Sequence, residues 1–496
     1  MFENFLEKEE QRKYQFVHLL EKARSSAIPK SELLQLLDIS DFILKRMTQS
    51  LLMDFQRFEL DEALTLVISD YDISLQMNEE VSAETLLELY IKESVKYRLL
   101  QSAFIQKYRS LNEFSLHEST SYPIAHRGHR QLNEFLQQFD LKINRRFQVE
   151  TTNEAELRFF LSELFLKIEK SDLSMYEQSS NFFISKQKKY WDMLHVSVFQ
   201  RLRMEHYWYV IDIRLRQGSV LTTPPESEIL DNDLLSKELI AIAGEFFEHF
   251  HLEKDVLVNE IHLLSRYYFS LESASYPLEL PSAFVLHRWN QNLIRELQRI
   301  FPRLLLYPER LEEFNREIWH VHISMLTKGE TCDCFIKDDL TIFFKKAHPE
   351  VYDFCRQYVN SLKQKERFLF KRQKSLFLNY CMTILNFLPK DCLAETTYVY
   401  IDFSHGDFYN RFIAERLKLM PQLGVVATPI LEQADIVLTN SRRIALTEHK
   451  EFIIWLELPR AVDYEHLMQK AIEIRKNKMN QTVHVVESSK GSGLNF

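Results

Sequence analysis

The sequence predicts a multidomain, mainly α-helical chain that ends in a small α/β domain, and three observations carry this expectation. Only eight glycines and thirteen prolines occur in 496 residues, while Leu, Glu, Lys and Gln, all good helix formers, are abundant. Apolar residues recur at three- and four-residue spacing through long stretches before residue 394, as half-buried helices require. Beyond that point short β-rich runs alternate with helical ones, the order of a parallel sheet. A single core rarely grows past about 250 to 300 residues, so this length calls for several domains.

Composition narrows the function. No apolar run approaches the roughly 18 residues of a spanning helix, and the opening MFENFLEKEEQRK is charged rather than signal-like, so no membrane and a cytoplasmic chain are expected. The net charge of −9 rules out a protein that coats nucleic acid unspecifically, and any DNA contact must be local. Five cysteines (Cys332, Cys334, Cys355, Cys381 and Cys392) lie in one third of the chain and read as reduced thiols. The pair Cys332 and Cys334 lacks a second pair at zinc-site spacing, so no metal is assigned. A glycine-rich phosphate loop, a Ser-His-Asp set and a catalytic carboxylate pair are all missing from the pattern, which argues against an enzyme and against a bound cofactor.

Residues 1–77 read as a winged helix-turn-helix. Tyr14, Phe16, Val17, Leu19 and Leu20 form one face of a first helix, Ser31 caps SELLQLLDI, and Ser40 caps DFILKRMTQSLLMDF after a short turn. LTLVISDYDISLQM alternates around Ser69 and Asp70 as a hairpin does. Lys45 and Arg46 are its candidate DNA contacts, offset by Asp41 and Asp54, and a purely structural three-helix module is the alternative.

Residues 78–165 are the second winged helix-turn-helix and the main reader. A helical block from Ser82 to Arg109 leads into SLNEFSLHESTSYPIAHRGHRQLNEFLQQFDLKINRR, from Ser110 to Arg146. Two helical patterns flank the polar break Ser119-Thr120-Ser121, and Pro123 suits a first turn. The second helix carries His126, Arg127, His129 and Arg130 before turning apolar at Leu132, Phe135, Leu136 and Phe139. Its two arginines suit phosphates or guanine edges, its histidines donate weakly near neutral pH, and Tyr122 or Ser121 suits phosphate at the helix start. A solvated polar helix face is the competing reading. Ile143 to Glu150 looks like the wing, with Arg145 and Arg146 at its base near phosphate. Between residues 104 and 148 seven basic side chains face four acidic ones, an excess of +3.

Residues 166–280 and 281–393 read as two helical bundles with a seam near Tyr276-Pro277. Residues 394–496 supply the α/β domain: TTYVYIDF, GVVATPI, ADIVLTN and FIIWLEL are its strand candidates, with the turn Ser404-His405-Gly406-Asp407 after the first.

This order of parts, with the local motifs SELLQLLDIS and LNEFLQQFDLKIN, resembles the Mga, AtxA and MafR group of virulence regulators of Gram-positive bacteria. The resemblance implies two helix-turn-helix domains, two PTS-regulation domains and a C-terminal domain like enzyme IIB of the sugar phosphotransferase system. It implies a transcription regulator, usually an activator, that binds double-stranded DNA and forms a homodimer or larger oligomer through its C-terminal domain. It also implies histidine phosphorylation by the phosphotransferase phosphocarrier protein. A phospho-acceptor needs an exposed imidazole beside groups that hold a dianion. The candidates are His195 and His206, near Arg201 and Arg203, and in the second bundle His287, beside Arg288, and His320. RQKSLFLNYCMTIL holds no histidine, unlike the last helices of some relatives. The loop at residues 403–407 has no cysteine for phosphoryl transfer, so the last domain is expected to join subunits rather than catalyse. A helical scaffold without sequence-directed DNA binding is the alternative function.

Overall fold

The computed structural model describes residues 1–496 except 24–25, 79, 171, 173, 175–196, 223–236, 270, 272–283, 328, 337–338, 390–391, 393–395, 421–423, 442–450, 457 and 491–496. It is mainly helical with small sheets and divides into two compact units. The first comprises Met1–Glu228, Asn232–Tyr276 and Lys328–Phe335; the second comprises Ile229–Asp231, Pro277–Thr327 and Ile336–Phe496.

The first unit begins with α1 (Lys8–Lys22), β1 (Ile28–Pro29), α2 (Lys30–Leu37), α3 (Asp41–Arg57) and the hairpin β2 (Leu64–Ile68) and β3 (Asp72–Met77). Ser40 caps α3 by accepting from Ile43 N at 3.4 Å. Ser69 Oγ closes the hairpin by accepting from the backbone N–H groups of Tyr71 and Asp72. The sheet runs β1-β3-β2, antiparallel throughout. β1 is absent from the sequence reading because two residues are too few for alternation to register.

Four helices follow: α4 (Ala83–Glu93), α5 (Val95–Phe104), α6 (Leu111–His117) and α7 (Tyr122–Leu136). The strands β4 (Leu141–Ile143) and β5 (Val149–Thr151) and the helix α8 (Glu154–Glu169) complete the series. The helical block that begins at Ser82 divides at Ser94, which leaves helical geometry at ψ 138° and caps α5 through its hydroxyl. Buried Asp54 of α3 accepts from Lys13 Nζ of α1 and from Tyr90 OH of α4, both at 2.6 Å. That carboxylate binds the first three-helix module to the second. Phe5, from the turn at Phe2–Phe5, is fully buried with its ring against Tyr97 and Phe135, so the start of the chain completes the core around α5 and α7.

From Leu157 to Leu166, α8 is buried on every side. Its buried polar side chains are bonded: Arg158 to Glu260, Ser162 to Phe159 O and Glu163 to Arg203. It packs along the helix Val198–Arg216, and Glu330 N donates to Glu156 at 2.8 Å. The 328–335 stretch, which lies in the sequence segment of the second bundle, therefore belongs to the first unit.

The second unit holds the helices Phe284–Ile300, Pro308–Thr327, Asp339–Ala347, Pro349–Lys365 and Gln373–Phe387. Its sheet consists of β6 (Thr397–Asp402), β7 (Val425–Thr428), β8 (Ile436–Thr439) and β9 (Glu451–Ile454), all parallel, in the order β7-β6-β8-β9. Val399, Phe403, Ile436 and Leu438 of the sheet region pack with Ile413 and Leu417 of the helix Asp407–Lys418. These strands fall where the apolar runs place them. Gly406 ends the turn after β6 at φ +87°, a conformation that costs glycine little.

Candidate nucleic-acid interface

The helix pair α6–α7 is shaped by its turn. Ser110 caps α6 by accepting from Glu113 N at 3.2 Å, Ser119 takes a left-handed φ of +50°, and proline sits in the first turn of α7. Glu118 fastens the turn to the neighbouring helix. Its carboxylate accepts from Tyr108 OH at 2.6 Å, Lys107 Nζ at 2.9 Å and Arg98 Nη1 at 3.3 Å, and Arg98 also reaches Thr120 Oγ1. Burial raises the carboxyl pKa, but the bonds from Tyr108 and Lys107 outweigh it and leave Glu118 below the usual value.

A group with a lowered folded pKa stabilises fully above its unfolded pKa and loses that contribution as pH falls through the folded value. Glu118→Gln is expected to cost about 2 kcal/mol, the worth of bonds to a charged group, and to flatten the acid limb of the stability curve. Thermal unfolding between pH 3 and 7 measures both; a variant with wild-type stability throughout would contradict the role.

Along α7, Ala125, Gly128, Leu132, Phe135 and Leu136 face inward. A side-chain carbon on Gly128 would lie 3.3 Å from Val95 Cγ1 and 3.4 Å from Leu99 Cδ1, so glycine lets α7 lie close on α5. Tyr122, His126, Arg127 and Arg130 are exposed and fall within about 140° of helical arc at 3.6 residues per turn. Arg127 lies 4.0 Å from Glu7 and Arg130 3.8 Å from Glu134. Exposed pairs this long are worth little.

His129 departs from this row. It is partly buried, its Nε2 lies 3.2 Å from Asn133 Nδ2, and burial pushes its pKa down. It buttresses Asn133, whose amide accepts from Ile143 N at 2.7 Å and donates to Ile143 O at 3.1 Å. Asn133 thereby binds the wing to the recognition helix. Arg145 and Arg146 stand in the exposed turn between β4 and β5, not at the base of the wing as the sequence reading had it. Phe147 (φ +60°) turns inward against Phe114, and Asn144 Oδ1 accepts from Arg146 N and Gln148 N. Among the described residues no carboxylate lies within 4.0 Å of either wing arginine.

Lys45 and Arg46 are exposed on α3, but each meets a carboxylate: Lys45 Nζ is 2.8 Å from Asp41 and Arg46 Nη2 is 3.5 Å from Glu9. The weak field expected of this helix follows from those pairs.

Of the histidines, His195 lies outside the described residues. His206 requires a correction, because it is fully buried with Nε2 2.8 Å from Lys170 O, and burial lowers its pKa. The apolar helix α8 beside it converts an expected surface histidine into a core one. His287 is exposed, while its neighbour Arg288 pairs with Glu366 at 2.8 Å; His320 is partly exposed. His322 is buried between Asn290 Oδ1 at 2.5 Å and Tyr380 OH at 2.7 Å, and burial pushes it down to about 3. No helix among the described residues is long and apolar enough to cross a membrane, and none of their His, Cys, Asp and Glu side chains form a group able to hold a metal.

The candidate interface is one basic helix with a basic wing tip. Asn133 and Glu118, which set its geometry, were missed. Only the four-residue spacing of His129 and Asn133 hinted at a shared face. Helix, turn, helix and wing define a nucleic-acid-binding module of the helix-turn-helix class. Residues 79–165 match the family model of the Mga helix-turn-helix domain. No curated protein matches the chain.

Proposed function

We propose that this chain is a DNA-binding transcription regulator of the Mga type, an activator that reads double-stranded DNA with α7 and its wing. The carrying observation is the row Tyr122, His126, Arg127 and Arg130, exposed on the recognition helix of the matched domain, with Arg145 and Arg146 at the wing tip. With few base-reading side chains, recognition leans on phosphate contact and DNA shape. The C-terminal α/β domain joins two copies, which raises avidity for paired half-sites. Its turn after β6, Ser404-His405-Gly406, has no cysteine nucleophile, in keeping with a non-enzymatic part. His287, exposed in the second unit, is the histidine that best suits phosphorylation by the phosphocarrier protein.

The test is binding of the intact chain to duplex DNA at rising salt. Counterion release predicts that affinity falls at least about a thousandfold between 50 and 200 mM salt if six or more phosphates are neutralised across a dimer. A chain that leaves duplex DNA unshifted at low salt is a scaffold instead.

A further inference from the structure

The wing is held at one register pair from two directions. Ile143 of β4 and Val149 of β5 face each other across the hairpin. Asn133 of α7 bonds both backbone groups of Ile143. On the other strand Val149 O accepts from Arg214 Nη1 at 3.2 Å. Arg214 comes from the helix Val198–Arg216, outside the matched domain, and is 5% exposed.

Arg214 is itself firmly placed. Its Nε and Nη2 fork onto Glu154 at 2.9 and 2.7 Å, and Nη1 also donates to Gln217 Oε1 at 3.1 Å. Gln217 Nε2 in turn donates to Phe104 O at the end of α5. Glu154 shares Oε1 with Arg158 Nε at 2.9 Å, and Arg158 binds Glu260 of the helix Lys254–Phe269 through both terminal nitrogens. Two arginines and two glutamates, all buried but the half-buried Glu154, thus form a charge-balanced chain from the helix Lys254–Phe269 to the wing. A ribbon of two three-residue strands has no independent stability, so its angle is set by what holds it.

We propose that Arg214 is a positioning residue for DNA binding: it fixes the wing so that Arg145 and Arg146 meet phosphate, and it makes the packing of the bundle part of the reader's geometry. The proposal rests on the reading of residues 122–146 as the DNA surface. A purely structural arginine would lower stability and leave the wing's contacts independent of it. A positioning arginine makes those contacts conditional on its presence.

The experiment is a double-mutant cycle on the intact chain, read as the slope of log affinity for duplex DNA against log salt. Arg145→Ala with Arg146→Ala is expected to lower the slope by about 2 for each bound copy, from two lost phosphates. Arg214→Ala is expected to reproduce that loss, and adding the wing substitutions to it is expected to change affinity less than about twofold, since interacting sites are non-additive. The same cycle with Glu154→Gln, which weakens the fork but keeps Arg214, guards against a variant that fails to fold; an intermediate slope with an unchanged circular dichroism spectrum is expected. A wild-type slope in the Glu154 and Arg214 variants, or additive wing effects in their backgrounds, overturns the positioning role. A wild-type chain that does not bind duplex DNA overturns the underlying DNA reading instead.

Discussion

Replacing Arg127, Arg130, Arg145 and Arg146 together with alanine is expected to weaken duplex-DNA binding on the order of a thousandfold, at about 1 kcal/mol for each lost contact. The slope of log affinity against log salt should fall by about 3 to 4 for each bound copy if each arginine neutralises one phosphate. The fold should be unaffected. All four side chains are exposed, the nearest carboxylates to Arg127 and Arg130 are 4.0 and 3.8 Å away, and those contacts are open to solvent and so worth little. Anisotropy titrations at several salt concentrations, with circular dichroism as the control, give both numbers. A slope unchanged in the quadruple variant would mean that other cations make the contacts.

The second large effect concerns stability. Arg158 is fully buried, forks onto Glu260, and bonds Glu154 and the carbonyl of Ser219. Arg158→Ala strands the equally buried Glu260, and breaking such a pair costs about 3 to 5 kcal/mol. Denaturant unfolding should show that loss. Replacing both ends, Arg158→Met with Glu260→Leu, should recover much of it, because an apolar pair of similar volume carries no desolvation penalty. A single variant as stable as the wild type would show that the charge chain is not what joins α8 to the bundle.

Local chemistry was legible in the sequence. Ser40 caps a helix where its position before an apolar repeat indicated, the hairpin turns at Ser69, and the C-terminal strands follow their apolar runs; Ser31 instead lies inside α2, whose N-cap is Pro29, because that helix starts one residue before it. Contacts between distant segments were not legible. Nothing local marks His206 as buried, because its burial comes from α8, or Phe5 as part of the core around Phe135. Arg145 and Arg146 were assigned to the wing but to its wrong end, because β4 and β5 are only three residues each and their bounds depend on Asn144 and Phe147. The pairing of Lys45 with Asp41 follows helical spacing; that of Arg46 with Glu9 needs the tertiary fold.

The most direct test of the account is hydroxyl-radical footprinting of the intact chain with and without bound duplex DNA. Tyr122 and His126 are exposed labels on the recognition helix, and they should lose most of their reactivity on binding. Reactivity at Tyr122 and His126 that is unchanged while DNA is bound would contradict the claim that α7 is the reader.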